Sequence, residues 1–182
     1  MKKVFVFLAE GFEEIEAVAT IDVIRRGEIE VTTVSISDDC LVKGAHGIQV
    51  KADALFAGTD FSGGDMLILP GGMPGASNLN NHAGLKTLLE DYAAQQKKVA
   101  AICAAPLVFG GLGLLKGKKA TAYPGFEAML TGAEYVKTGV VIDGNIITGR
   151  GPGFAVDFGL AIVSQLAGQE KADEVAAGML LS

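Results

Sequence analysis

Short apolar runs, each cut off by glycine, proline or acid and each followed by a stretch of helical character, constrain this chain more than any other feature. Lys3–Leu8 is one such run and ends at Ala9-Glu10-Gly11. Glu30–Ile36, rich in valine, threonine and isoleucine, is a second. Asp65–Leu69, stopped by Pro70-Gly71-Gly72, is a third, and Lys98–Ile102 a fourth. Apolar residues at consecutive positions, rather than at every second one, mark strands buried on both faces. Helices are predicted for Glu13–Arg26, stopped by Gly27, for Asn81 or His82 through Gln95, for Cys103–Leu115, for Phe154–Ala167 and for Lys171–Leu181. This alternation predicts an α/β fold, a mostly parallel sheet with helices on both faces. Two hairpins are expected beside it. One joins Cys40–Val42 to Ile48–Val50 through Gly44-Ala45-His46-Gly47, and the other joins Tyr135–Ile142 to Asn145–Thr148 through Asp143-Gly144. Ala120–Ala122 reads as a short extended piece.

The 182 residues show no linker, repeat or low-complexity tract, so one domain is expected over 1–182. Hydrophobic residues make up 49% of the chain, enough for a substantial core. No stretch approaches the ~20 apolar residues of a membrane span. The opening run stops too soon for a signal-peptide core, and a cytoplasmic protein is expected. A net charge of −6 argues against a nucleic-acid partner, which would call for a basic patch. The two cysteines, Cys40 and Cys103, are expected to be free thiols, and with two distant histidines they form no metal-ligand spacing. No cofactor motif is present: there is no P-loop lysine, and no G-x-G-x-x-G follows a strand.

The chemistry concentrates at strand ends. In Val99-Ala100-Ala101-Ile102-Cys103-Ala104-Ala105-Pro106 a buried strand runs straight into a cysteine, small residues and a helix start, the form of a nucleophile elbow. Small neighbours permit the sharp turn, and Pro106 suits a first helical turn. A helix N-terminus would stabilise a thiolate at Cys103 and lower its pKa below the free value of ~8.5. The competing reading is a buried, inert cysteine. Glu13, Glu14 and Glu16 open the first helix, where acids ordinarily complement the dipole at a solvated surface. That account suffices for Glu13 and Glu14. Glu16 is positioned to turn toward the sheet edge, hold its proton beside a thiolate and donate a hydrogen bond to sulfur. Gly71 and Gly72 offer backbone N–H groups for an oxyanion, or merely a tight turn. Arg150, in Gly149-Arg150-Gly151-Pro152-Gly153, fits an anion site at the next helix start, a loop anchor or a subunit contact.

Glu13-Glu14-Ile15-Glu16, Leu69-Pro70-Gly71-Gly72, Ala100-Ala101-Ile102-Cys103-Ala104-Ala105-Pro106 and Arg150-Gly151-Pro152-Gly153 occur in that order and span nearly the whole chain. Together they closely resemble the ThiJ/PfpI family, on the branch of the Parkinson-disease-associated protein deglycase. The resemblance implies a flavodoxin-like sandwich, usually a homodimer, without cofactor. It maps the family's elbow cysteine onto Cys103, its sulfur-bonded glutamate onto Glu16, and its oxyanion backbone onto Gly71 and Gly72, with Ala104 beside them. The implied activity is protection against reactive carbonyls, either glutathione-independent glyoxalase conversion of small aldehydes or deglycation of modified amino groups. The family also includes oxidant sensors whose cysteine becomes a sulfinate, chaperones, intracellular peptidases and thiamine-pathway proteins. Many members carry a histidine before a proline after the elbow helix. Here Tyr123-Pro124 stands there; a phenol is a poor base at neutral pH, but it can donate a hydrogen bond, and Tyr123 is a candidate substrate-binding residue. Peptidase activity is therefore not expected. His46 is read as a hairpin residue, with approach to a site from a partner subunit as the alternative.

Overall fold

The computed structural model describes residues 1–181. The chain begins β1 (Lys3–Leu8), α1 (Glu14–Arg26), β2 (Glu30–Ser35), β3 (Leu41–Lys43), β4 (Gln49–Lys51) and β5 (Ala54–Leu55). It continues through β6 (Met66–Leu69), α2 (Gly75–Asn81), α3 (Ala83–Ala94), β7 (Lys98–Ile102) and α4 (Pro106–Gly111). Then come β8 (Lys119–Ala120), β9 (Glu134–Tyr135), β10 (Val140–Asp143), β11 (Ile146–Gly149), α5 (Ala155–Ala167) and α6 (Gln169–Gly178). Short 3₁₀ turns occupy Glu127–Met129 and Pro152–Phe154.

All four apolar runs enter one seven-stranded sheet of order β10-β11-β7-β6-β1-β2-β5. Every neighbouring pair is parallel except β10 with β11. The expected mostly parallel sheet is therefore present, in a flavodoxin-like arrangement. Its strands are apolar at each position because helices cover the sheet: α1 packs on α5, which packs on α6, while α2, α3 and α4 group together. Phe5, Phe7 and Phe158 are fully buried between these layers, and each such side chain contributes ~1.5–3 kcal/mol of hydrophobic stabilisation. Helices α1 and α5 approach closely because Gly159 faces Val23; a Cβ at Gly159 would lie 2.8 Å from the Val23 Cβ.

Three features differ from expectation. The helix expected over Cys103–Leu115 is reduced to Pro106–Gly111. Cys103 itself has φ 65°, outside helical space, and Gly113, with φ 71°, follows the helix. An additional helix, α2, for which no element is predicted, follows Pro74, and its Ala76 N–H bonds the Gly72 carbonyl at 2.8 Å. The second hairpin is shorter than expected, because Tyr135 leaves it to pair with Ala120 in a separate two-stranded sheet. The first hairpin forms as expected, one residue later, with Val42 opposite Val50.

The order of the strands reverses at β1, which has β2 on one side and β6 on the other. In open α/β sheets such a switch point leaves a crevice beyond the carboxyl ends of the strands. The segments entering that crevice are the loop and helix after β1, the Pro70-Gly71-Gly72 loop after β6 and the Cys103 turn after β7.

Candidate active site

Cys103 follows β7 directly and takes the left-handed backbone conformation, uncommon for a residue with a side chain and concentrated at functional turns. Two hydrogen bonds hold it there. Its N–H donates to the Gly149 carbonyl at 2.9 Å, and its carbonyl accepts from the Tyr123 N–H at 2.8 Å. The turn needs small neighbours: a Cβ on Gly71 would lie 2.6 Å from the Cys103 Cβ and 2.7 Å from Glu16 Oε2. The residue is buried, with 8% of its surface exposed.

Glu16 comes from the first turn of α1 and is fully buried. One oxygen, Oε2, accepts the Gly71 N–H at 2.8 Å. The other, Oε1, is buried without a hydrogen-bond partner among the described residues and is free to pair with the neighbouring Cys103 thiol. Burial pushes the Glu16 carboxyl up to about 7, against the lowering effect of its bonds to Cys103 and Gly71. Glu13 caps the helix, its Oε2 accepting the Glu16 N–H at 2.7 Å, and its charge pushes Glu16 further up.

The expected low thiol pKa is not what this environment produces. Burial first, then the Glu16 carboxylate beside it, pushes the Cys103 thiol up to about 12, although the Gly72 and Ala104 backbone N–H groups pull the other way. The physical reason is placement. Helix α4 starts at Pro106, so Cys103 lies before it in a desolvated turn, with an acid rather than a base for a neighbour. Raised together and coupled, the two groups titrate as a pair, with a proton shared between sulfur and carboxylate. A thiolate exists here when that proton rests on Glu16, and the two backbone N–H groups stabilise that arrangement.

The structure thus brings Cys103, Glu16, Gly71, Gly72 and Ala104 together. It divides the glycines differently from expectation: the Gly71 N–H is already engaged by Glu16, so Gly72 and Ala104 supply the donors facing sulfur. Gly72 has φ 88°, and a Cβ there would lie 2.6 Å from the Gly11 carbonyl oxygen.

Tyr123 and Arg150 sit next door, on a cleft of about 330 Å³. Tyr123 is 46% exposed. Arg150 does not anchor a loop, since its side chain makes no hydrogen bond or ion pair among the described residues and its Nε is buried without a partner.

His46 is exposed. Its Nδ1 is 2.8 Å from Glu14 Oε2, and its N–H donates to Glu14 Oε1 at 2.6 Å. Glu13 and Glu14 are buried, not solvated as expected, because the β3–β4 hairpin folds back over the start of α1. Glu14 Oε2, His46 Nδ1 and a Glu13 oxygen lie within reach of a single ion, though Glu14 is already satisfied by the hairpin. Both cysteines are free, and no helix among the described residues is long and apolar enough to cross a membrane.

Comparisons with known proteins agree with this geometry. The model of the DJ-1/PfpI family matches residues 2–165. The chain is 44% identical to Protein DJ-1 homolog A of Arabidopsis thaliana, covering 99% of this chain and 47% of that one, and so spans about half the length of that relative. It is 32% identical to the Glutathione-independent glyoxalase DJ-1 of Schizosaccharomyces pombe, with 96% of each covered. The solved structure of oxidized Toxoplasma gondii DJ-1 superposes with a TM-score of 0.96 at 38% identity, covering 100% of both chains. With the fold, the elbow and the sequence in accord over nearly its whole length, this chain belongs to the DJ-1/PfpI family.

Proposed function

We propose that this chain is a single-domain, cofactor-independent protective protein in which Cys103 and Glu16 convert small reactive aldehydes to hydroxy acids, acting also on glycated amino groups. The observation that carries the reading is the Cys103–Glu16 pair, buried together beside Gly71, with burial pushing both acids above their ordinary values. The name of the fission-yeast relative, a glutathione-independent glyoxalase, supports the substrate class.

With methylglyoxal, the Cys103 sulfur adds to the aldehyde carbon. The S–C bond forms, and the Glu16 proton passes to the former carbonyl oxygen to give a hemithioacetal. The Glu16 carboxylate then removes the hydrogen on that carbon as a proton and returns it to the adjacent carbon, while the hemithioacetal hydroxyl proton passes to the neighbouring carbonyl oxygen, which leaves a 2-hydroxy thioester. Water cleaves the S–C bond, releasing lactate and restoring the thiol. Substrate carbons exchange oxidation states internally, and the protein is unchanged. Gly72 and Ala104 N–H groups stabilise the negative charge on sulfur at the start and at the end. Lactate formation by wild type, Cys103→Ala and Glu16→Gln tests this; loss in both variants is expected, and equal rates in all three would overturn it.

A second reading has its own support. A neutral Glu16 beside sulfur is suited to donate to a sulfinate oxygen, and the similar Toxoplasma structure is of an oxidized form. Two equivalents of peroxide would add two oxygens to Cys103. Intact mass after mild peroxide tests it, and an unmodified Cys103 would count against sensing.

The working form is a cytoplasmic homodimer. Ile15 and Val18, on one face of α1, and Ile48 on the adjoining hairpin are exposed apolar side chains suited to a second copy. Sedimentation of Val18→Glu, expected to be monomeric, checks it.

A further inference from the structure

The cleft beside Cys103 contains a feature that methylglyoxal does not use. The chain has three arginines. Arg25 is 3.3 Å from Asp53 and Arg26 2.7 Å from Asp22, each paired with a carboxylate of its own chain. Among the described residues Arg150 has no such partner, and its buried Nε is one of three orphaned side-chain polar atoms, with Glu16 Oε1 and Thr20 Oγ1. Burying a donor without an acceptor is costly, and an orphan of this kind calls for an explanation.

Arg150 lines the cleft of about 330 Å³, whose other walls are Tyr123, Pro124, Pro152 and Phe154. That volume lies near the lower end of small-molecule sites, roughly 300–1,000 Å³, which suits a short ligand rather than a protein side. The lining side chains are apolar apart from the guanidinium and the Tyr123 hydroxyl, in a chain whose net charge is −6. Both sides of the cleft are tied to the reactive turn. Tyr123 donates its N–H to the Cys103 carbonyl, and Arg150 follows Gly149, whose carbonyl accepts from the Cys103 N–H. Gly151 keeps the passage open: a Cβ there would lie 3.1 Å from the Tyr123 ring.

We infer that the cleft is a substrate subsite in which Arg150 binds the carboxylate of a short carbonyl compound whose aldehyde end reaches Cys103. The preferred substrates are then 2-oxoaldehydes with an anionic tail, not uncharged ones. The inference rests on the carbonyl chemistry proposed for Cys103 and Glu16, and it names the class within it. For 4,5-dioxopentanoate the steps are those of methylglyoxal: the sulfur adds to the aldehyde, the proton moves between adjacent carbons, and one water releases 2-hydroxyglutarate with one proton.

The test compares kcat/KM for 4,5-dioxopentanoate and uncharged 2-oxopentanal. A charge-assisted hydrogen bond predicts a preference of ~10-fold or more for the anion in wild type. The ratio should fall to about one in Arg150→Met and recover in part in Arg150→Lys. Binding of glutarate to Cys103→Ala, followed by calorimetry, reads the cleft without chemistry, and adding Arg150→Met should abolish it. Turnover of both aldehydes at equal kcat/KM, with no glutarate binding, overturns the subsite and leaves the carbonyl chemistry standing. Glutarate binding that needs Arg150, with neither aldehyde turned over, supports the anion site and removes the chemistry. A monomeric Arg150→Met that binds glutarate as before would reassign Arg150 to a subunit contact and overturn the inference.

Discussion

Glu16→Gln gives the sharpest measurable consequence of the buried pair, because it appears in stability as well as in rate. Folding raises the Glu16 carboxyl from 4.5 to about 7. Between those values the folded chain holds a proton that the unfolded chain has released. Stability then falls as pH rises, because the folded state binds more protons than the unfolded one. The contribution is fully present below about 4.5 and is lost as pH passes through about 7. At 1.36 kcal/mol per unit, the loss is about 3 kcal/mol, a sizeable share of the ~5–15 kcal/mol that holds a domain folded. Glutamine keeps the shape of the side chain and still accepts the Gly71 N–H, but it has no charge to bury. Urea titrations of wild type and Glu16→Gln from pH 4.5 to 8.5 should therefore give curves that diverge with rising pH, with the variant more stable at the alkaline end. Cys103→Ala refines the assignment. The bond to the thiol lowers Glu16, so its removal should carry the decline to higher pH. Parallel pH profiles for wild type and Glu16→Gln would refute the reasoning, since no other change at this position removes the titrating group while keeping its contacts.

Other consequences follow from the same geometry. Gly71→Ala drives a Cβ against Cys103 and Glu16, and it should cost ~1–3 kcal/mol in urea melts while slowing alkylation of Cys103. Glu13→Ala removes the α1 cap and should cost ~1 kcal/mol, whereas Glu13→Gln, by deleting a charge that pushes Glu16 up, should move the pH at which wild-type stability declines to lower values. The His46 ring, held by Glu14, should titrate above its ordinary value in a proton NMR titration and return toward it in Glu14→Gln.

The sequence reveals the sheet because its signal is local. A run such as Met66–Leu69, apolar at every position, has few alternatives to a strand covered on both sides. The elbow is legible for the same reason: a strand entering cysteine and two alanines leaves room only for a tight turn. Electrostatics at the site is not local, and there the dipole rule misleads. It reads Glu13 and Glu14 as solvated, but a hairpin more than thirty residues downstream places the His46 and Ile48 N–H groups on Glu14. It also assigns Cys103 a depressed pKa from the helix that follows. The burial that decides the matter comes with Glu16, in the first turn of α1, and Gly71, in the loop after β6, both distant from Cys103 in sequence. Likewise, nothing in Gly149-Arg150-Gly151 distinguishes an arginine with a partner from one without. That distinction depends on where the remaining acids lie, and among the described residues none pairs with Arg150. The residue with the least to say in the sequence is thus the one whose isolation in the structure carries information, for an unpaired guanidinium beside a reactive sulfur defines a ligand by the charge it lacks.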